Sequence, residues 1–241
     1  MPGRLPTTSD FPSSLSLAIT PPPLSQPPIN ILVLLHGLGD THASFTALGR
    51  NLSLPETACL SLQAPTPLPF DLGGFHWGDD IIFDQASGSM DFDTGFQKAR
   101  RVIAEDIIRK GLMETCGYQA REILIFGFGQ GGMAGLAAAT ALPELSGVIS
   151  VGGPLPSSIV APTGKKFKTP VLLLGGSSRT LISDSAVTRL KDSFEFVEYK
   201  QWKKSGDGMP SNRDEMLPMM QFFARRLRSR RGVPEGSVEI S

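Results

Sequence analysis

The chain has 241 residues, 40% of them apolar, and its 23 basic side chains balance 23 acidic ones. That length and apolar content suit one α/β domain with one large core, and zero net charge removes the electrostatic case for nucleic acid as a partner. No run approaches the ~18 apolar residues of a membrane span, no secretory apolar region opens the chain, and Cys59 and Cys116 read as reduced thiols, so the expected location is cytoplasmic.

Residues 1–28 read as a Pro-rich N-terminal extension with a loose start and a candidate edge strand at Ser13–Thr20. Short β-type runs follow at Ile29–Leu35, Ala58–Gln63, Glu122–Phe126, Gly147–Val151, Pro170–Leu174 and Glu195–Tyr199. Several are continuously apolar, as in strands of a parallel sheet buried on both faces. Helical patterns alternate with them. Gln97–Glu114 places Val102, Ile103, Ile107 and Leu112 on one stripe, Gln130–Leu142 is rich in small residues, and Ser183–Ser193 is a shorter amphipathic piece. Ser211-Asn212-Arg213-Asp214 resembles a capping box before a last helix that ends near Arg228, with Pro218 delaying or bending its start. The arginines at 225, 226, 228, 230 and 231 complement that helix's dipole. The expected organisation is a mostly parallel sheet with helices on both faces over residues 29–229, then a tail at 230–241.

Ala64–Thr94 is too long for a simple connection. It carries Phe70, Phe75, His76, Trp77 and Phe92. Two readings stand side by side: a lid whose His76 and Trp77 touch a ligand, or a packed loop with a small core of its own.

The most informative segment is Ile123-Leu-Ile-Phe-Gly-Phe-Gly-Gln-Gly-Gly-Met133. An apolar strand enters a glycine-rich turn, and a small-residue helix leaves it. This is the strand-turn-helix of a G-x-S-x-G nucleophile elbow with Gly129 at the serine position. Together with His36-Gly-Leu-Gly-Asp-Thr41, which follows the buried run Ile29–Leu35, it resembles the phospholipase/carboxylesterase/acyl-protein thioesterase family of α/β-hydrolases over roughly residues 29–229.

The resemblance implies an α/β-hydrolase fold and cleavage of fatty acyl esters or thioesters. It also implies an oxyanion hole made by the backbone N–H groups of Leu38 and Gln130, with His36 as a structural neighbour; backbone donors survive side-chain changes. The catalytic side chains do not carry over. Gly129 stands for the nucleophile and Arg179 for the acid. The loop that would hold the base, Lys203–Pro210, has no histidine, and the three histidines of the chain, His36, His42 and His76, all precede the elbow. The order serine, acid, histidine is unavailable.

Three functional expectations follow. The first is a non-catalytic or weakly active family member that holds an acyl or other apolar ligand, or an acylated protein partner, in the inherited cleft. The second is a hydrolase with a rebuilt site, in which Asp207 takes the role of base; Asp214, Asp79 and Asp80 are the other carboxylates considered. The third is an anion- or nucleotide-binding turn at Gly127–Gly132, which formally matches G-x-G-x-x-G at a helix start. His36, Asp40, His42, His76, Asp79 and Asp80 match no metal-ligand spacing, so neither metal nor cofactor is expected. Trp202 reads as pocket wall or packing, Lys203-Lys204 as a solvated pair, and Gly206-Asp207-Gly208 equally as turn chemistry.

Overall fold

A computed structural model describes residues 3–23, 27–70, 72–84 and 89–230. Seven strands form the central sheet: β1 (Leu17–Thr20), β2 (Asn30–Leu35), β3 (Thr57–Leu62), β4 (Ile123–Phe128), β5 (Gly147–Val151), β6 (Val171–Gly175) and β7 (Val197–Gln201). Their order is β1-β3-β2-β4-β5-β6-β7, and only the β1–β3 pairing is antiparallel. The five helical elements are α1 (His42–Leu52), α2 (Gln97–Arg101, continuing as Val102–Thr115), α3 (Gln130–Ala139), α4 (Asp184–Ser193) and α5 (Arg213–Arg226).

The continuous apolar runs become the central strands because both faces of the sheet are covered. Ile31, Val33 and Leu35 of β2 enter one core, with Ile103, Ile107 and Leu112 of α2. Leu32 and Leu34 enter the other, with Phe45 of α1 and Phe222 and Phe223 of α5. Each fully buried aliphatic or aromatic side chain contributes about 1.5–3 kcal/mol. This arrangement is the α/β fold expected from the alternation of strands and helices. The candidate edge strand is β1, paired along Thr57–Leu62.

Several local expectations change. The first described residues are packed: Gly3 lies against the Tyr118 ring, Phe11 against Gly111, and Arg4 pairs with Asp10. The helix after Gln97 is α-helical only to Arg101 and then winds as a π-helix, in which Cys116 donates to the carbonyl of Gly111 (3.0 Å). The physical reason is in the stripe itself. Ile103, Ile107 and Leu112 are separated by four and five residues, and the wider i→i+5 winding stacks such positions on one side. α1 was not foreseen; Thr41 caps it by accepting from Ala43 N–H, and only Phe45, Thr46 and Gly49 of it are buried. α5 starts five residues before Pro218 and runs through it, because Asn212 caps the first turn and accepts from Glu215 N–H. Of the expected tail only Arg230 is described.

Because β2 through β7 are parallel, their C-terminal ends share one edge, the edge where α/β folds place ligands. At that edge α3 presses its first turn on the end of β2. A Cβ at Gly131 would stand 2.4 Å from the carbonyl oxygens of both Leu35 and His36. Backbone cannot yield as a flexible side chain does, so Gly131→Ala is expected to destabilise the protein by at least about 1–3 kcal/mol. Gly164→Ala, where a Cβ meets nothing within 4 Å, is expected to be near neutral. Urea unfolding of the two variants checks this.

Candidate active site

Strand β4 ends at Phe128, and the next residue makes the turn. Gly129 has φ 52° and ψ −121° and caps α3. Its N–H donates to Val151 O (2.8 Å), and its carbonyl accepts from Met133 N–H (3.1 Å). A residue with a side chain would bear on the order of 1–3 kcal/mol of strain here; glycine adopts the angles with little cost. A Cβ at this position meets nothing within 4 Å. The turn therefore leaves open space where a side chain at this position would stand.

Gln130 follows Gly129 directly, and Gly37, the neighbour of Leu38, lies against the Phe128 ring. Gly39 N–H is taken by Phe75 O (2.9 Å) and Asp40 N–H by Gly37 O (3.3 Å), which folds the turn after β2. Among the described residues no hydrogen bond occupies the N–H of Leu38 or of Gln130. Gln130 opens α3, where the first N–H groups have no intrahelical acceptor. Its side chain does separate work: the buried amide accepts from Trp77 N–H (3.0 Å) and donates to Phe92 O (3.1 Å), tying the middle and the end of the long segment to the elbow. Sequence reading assigned Gln130 a backbone role alone. Nothing about a glutamine in a glycine-rich turn signals this one.

His36 is fully buried beside the turn. Nε2 accepts from Ala64 N–H (3.0 Å), so the ring proton sits on Nδ1 and is donated to Gly37 O (2.7 Å). Both nitrogens are used by the neutral ring, and burial pushes its pKa below the usual histidine value. The carbonyl of His36 also accepts from Trp77 Nε1 (2.8 Å).

That bond bears on the two readings left open for Trp77. Its side chain is fully buried in the core against His36 rather than displayed to a ligand. An indole that has both a core pocket and an acceptor for its N–H gains by burial. His76 is also buried, 3% exposed, with Nδ1 unpartnered among the described residues; burial, then the nearby Lys98 cation, lower its pKa. The exposed part of the long segment is elsewhere, at Phe70, Leu72 and Ile82.

Asp207 lies in the loop after β7, against Gly152, whose following residue touches the Gly129 carbonyl. Oδ1 accepts from Gly176 N–H (2.9 Å) and Thr180 Oγ1 (2.6 Å), and Oδ2 from Leu181 N–H (2.8 Å). The carboxylate is committed to the 176–181 loop, where it holds backbone rather than a water. Arg179, at the acid position, is exposed and sits at φ 50°, wound tightly by that grip. Ser177 N–H to Lys204 O (2.8 Å) and Gly206 N–H to Ser178 O (2.7 Å) pair the same two loops. Lys204 is not simply solvated: Nζ bonds Met209 O and Glu215 (both 2.7 Å) and lies 4.3 Å over the ring of Trp202. This Lys204 contact holds the Glu215 carboxyl down to about 2.

Of the other carboxylates, Asp214 lies in the first turn of α5 and Asp80 accepts from Ile81 N–H (2.8 Å). Asp40 accepts from Thr41 N–H and Ser44 Oγ, and Asp79 caps α2 by accepting from Gln97 and Lys98 N–H. Among the described residues no three His, Cys, Asp or Glu side chains converge on a metal site.

The sheet, the elbow and the turn after β2 define an α/β-hydrolase domain. Residues 19–227 match the Phospholipase/Carboxylesterase family, and the chain belongs to it. It is 34% identical over 206 residues to Uncharacterized hydrolase C9G1.08c of Schizosaccharomyces pombe, covering 82% of this chain and 83% of that one. In fold it is similar to esterase PE8, with a TM-score of 0.68, 24% identity and coverage of 88% and 99% of the two chains. It is also similar to acyl-protein thioesterase 2 of Zea mays, with a TM-score of 0.59, 18% identity and coverage of 88% and 99%.

Two measurements follow from this geometry. The unfolded chain protonates His36 and His76 near pH ~6.5, while the folded chain resists, so the unfolded state binds more protons below that value. Stability is expected to fall as pH drops from about 7.5 to about 5.5, and His36→Asn, less stable at the upper end, is expected to flatten the slope; melting temperature against pH reads both. Asp207→Asn turns one oxygen into a donor facing an N–H, and is expected to cost about 1–3 kcal/mol and to speed amide hydrogen exchange at Gly176 and Leu181.

Proposed function

We propose that this member of the Phospholipase/Carboxylesterase family does not use the serine route and acts by holding an acyl or other apolar ligand, free or carried by a protein, in the cleft at the strand C-termini, within the cytoplasm. The observation that carries this reading is an elbow of intact shape with Gly129 at its tip. The missing histidine after the elbow supports it, as does Asp207 spending its oxygens on backbone. The N–H groups of Leu38 and Gln130 are free to bind an ester, thioester or carboxylate oxygen. Such a carbonyl binds there in its ground state and meets no nucleophile, so binding does not become turnover. Phe70, Leu72, Ile82, Val160 and Leu181 are exposed apolar side chains in loops leaving the same edge of the sheet, suited to an acyl chain.

The test is hydrolysis of short- and medium-chain p-nitrophenyl esters and of an acyl thioester, against Gly129→Trp, which fills the elbow. Equal rates are expected, with binding of a medium-chain acyl probe lost in the variant. Turnover that disappears with Gly129→Trp would overturn the reading. Gly129→Ser alone is expected to remain inactive, because its base and acid are still missing and triad members act as a unit, and to lose roughly 1–3 kcal/mol of stability to the backbone strain.

A further inference from the structure

One cavity of the described residues does not open on the elbow. It measures about 980 Å³ and lies between the start of α2, Ala141 after α3, and Ser158 and Ile159 in the loop after β5. Neither Leu38, Gly129 nor Asp207 lines it. The volume is at the upper end of what an organic ligand fills.

Its floor is apolar, from Phe96 and Ala104, both buried, with Ile159 half-buried at the rim. Its charged lining is Lys98, Arg100 and Arg101 against Asp79 and Glu105. The two acids are already engaged. Asp79 accepts the N–H groups of Gln97 and Lys98, and Glu105 pairs with Arg109 (3.2 Å). Lys98 is held by Thr66 Oγ1 (3.1 Å) and Pro65 O. The guanidinium groups of Arg100 and Arg101 have no ion-pair or hydrogen-bond partner among the described residues, and Nε of Arg100 is buried without an acceptor. A desolvated guanidinium N–H left unpaired costs free energy in the empty protein, and an entering acceptor recovers it. The depression of the His76 pKa by Lys98 reports the same positive potential at this end of α2.

We infer that this cavity is a binding site for an amphiphilic oxyanion, with a carboxylate or phosphate held by Arg100 and Arg101 and an apolar body laid on Phe96, Ala104 and Ile159. Guanidinium forks match either oxyanion in bidentate fashion. The helix N-terminus takes no part, since Asp79 consumes its donors. The site is independent of the acyl reading at the elbow.

Calorimetric titration with decanoate, decyl phosphate, inorganic phosphate and neutral decanol tests it. Saturable binding of at least one of the two decyl anions is expected, tighter than inorganic phosphate and tighter than decanol, and weakened by salt. The relative affinities of decanoate and decyl phosphate assign the headgroup. Arg100→Gln/Arg101→Gln, and the exposed Arg101→Gln alone as the milder change, are expected to weaken the anion by roughly tenfold or more, with an unchanged melting temperature for Arg101→Gln. Arg213→Gln, at the start of α5, is expected to leave it unchanged; in Gly129→Trp, which removes any acyl binding at the elbow, the component that depends on Arg100 and Arg101 is expected to persist. Decanol bound as tightly as the anions, anion affinity untouched in the double variant, or no saturable anion binding to the wild-type chain would each overturn the inference. Loss in Gly129→Trp instead would place the anion at the elbow and equally overturn it.

Discussion

The C-terminal edge of the sheet rests on one backbone crossing. The first turn of α3 lies on the last carbonyls of β2 so closely that Gly131 has no room for a Cβ. That contact sets the angle at which α3 leaves the sheet, and with it the position of Gly129 and the direction of the Gln130 N–H. Interiors at this density transmit any displacement to their neighbours. The elbow is thus a product of packing between three strands and a helix, and it survives without the side chain it presents in a working hydrolase.

Around that crossing runs a set of polar contacts that has the same independence. The carbonyl of His36 takes the Trp77 indole, its ring takes Ala64 N–H, and the Gln130 amide takes Trp77 N–H and gives to Phe92. Each is a buried group whose loss would leave an unpaired partner. Together they fix both ends of the long segment after β3, while Phe70, Leu72 and Ile82 between those ends face outward. The segment is a packed strap at its ends and an apolar rim at its middle, so the two readings open to it from sequence each describe a part.

The loops after β6 and β7 show a different outcome. In a triad the base loop gives an imidazole N–H to a carboxylate on the acid loop. In this chain the loop after β7 supplies the carboxylate of Asp207, and the loop after β6 supplies backbone N–H groups and Thr180 Oγ1. The two loops stay joined, and Arg179 is left exposed at positive φ by the tightness of the turn. A brace built this way fixes the mutual placement of the two loops.

The fold was legible because buried parallel strands write themselves as unbroken apolar runs, and every such run became a sheet strand within one or two residues. The elbow was legible because its glycines answer to backbone constraints that no other residue meets. What stayed hidden were the contacts in which a side chain serves distant backbone. Gln130, Lys204 and Asp207 are polar residues in turn-like settings, and residue type alone does not say whether such a group faces water, a reactant or an N–H some 30 residues away. α1 was hidden because so little of it is buried. Trp77 was left open to two readings because a long Pro- and Gly-rich segment suggests exposure as readily as packing; the indole has a core position and an acceptor. Motif glycines therefore identify the scaffold of this family more securely than they identify its chemistry: the scaffold depends on where a Cβ is forbidden, and the chemistry depends on which side chains reach the space left open.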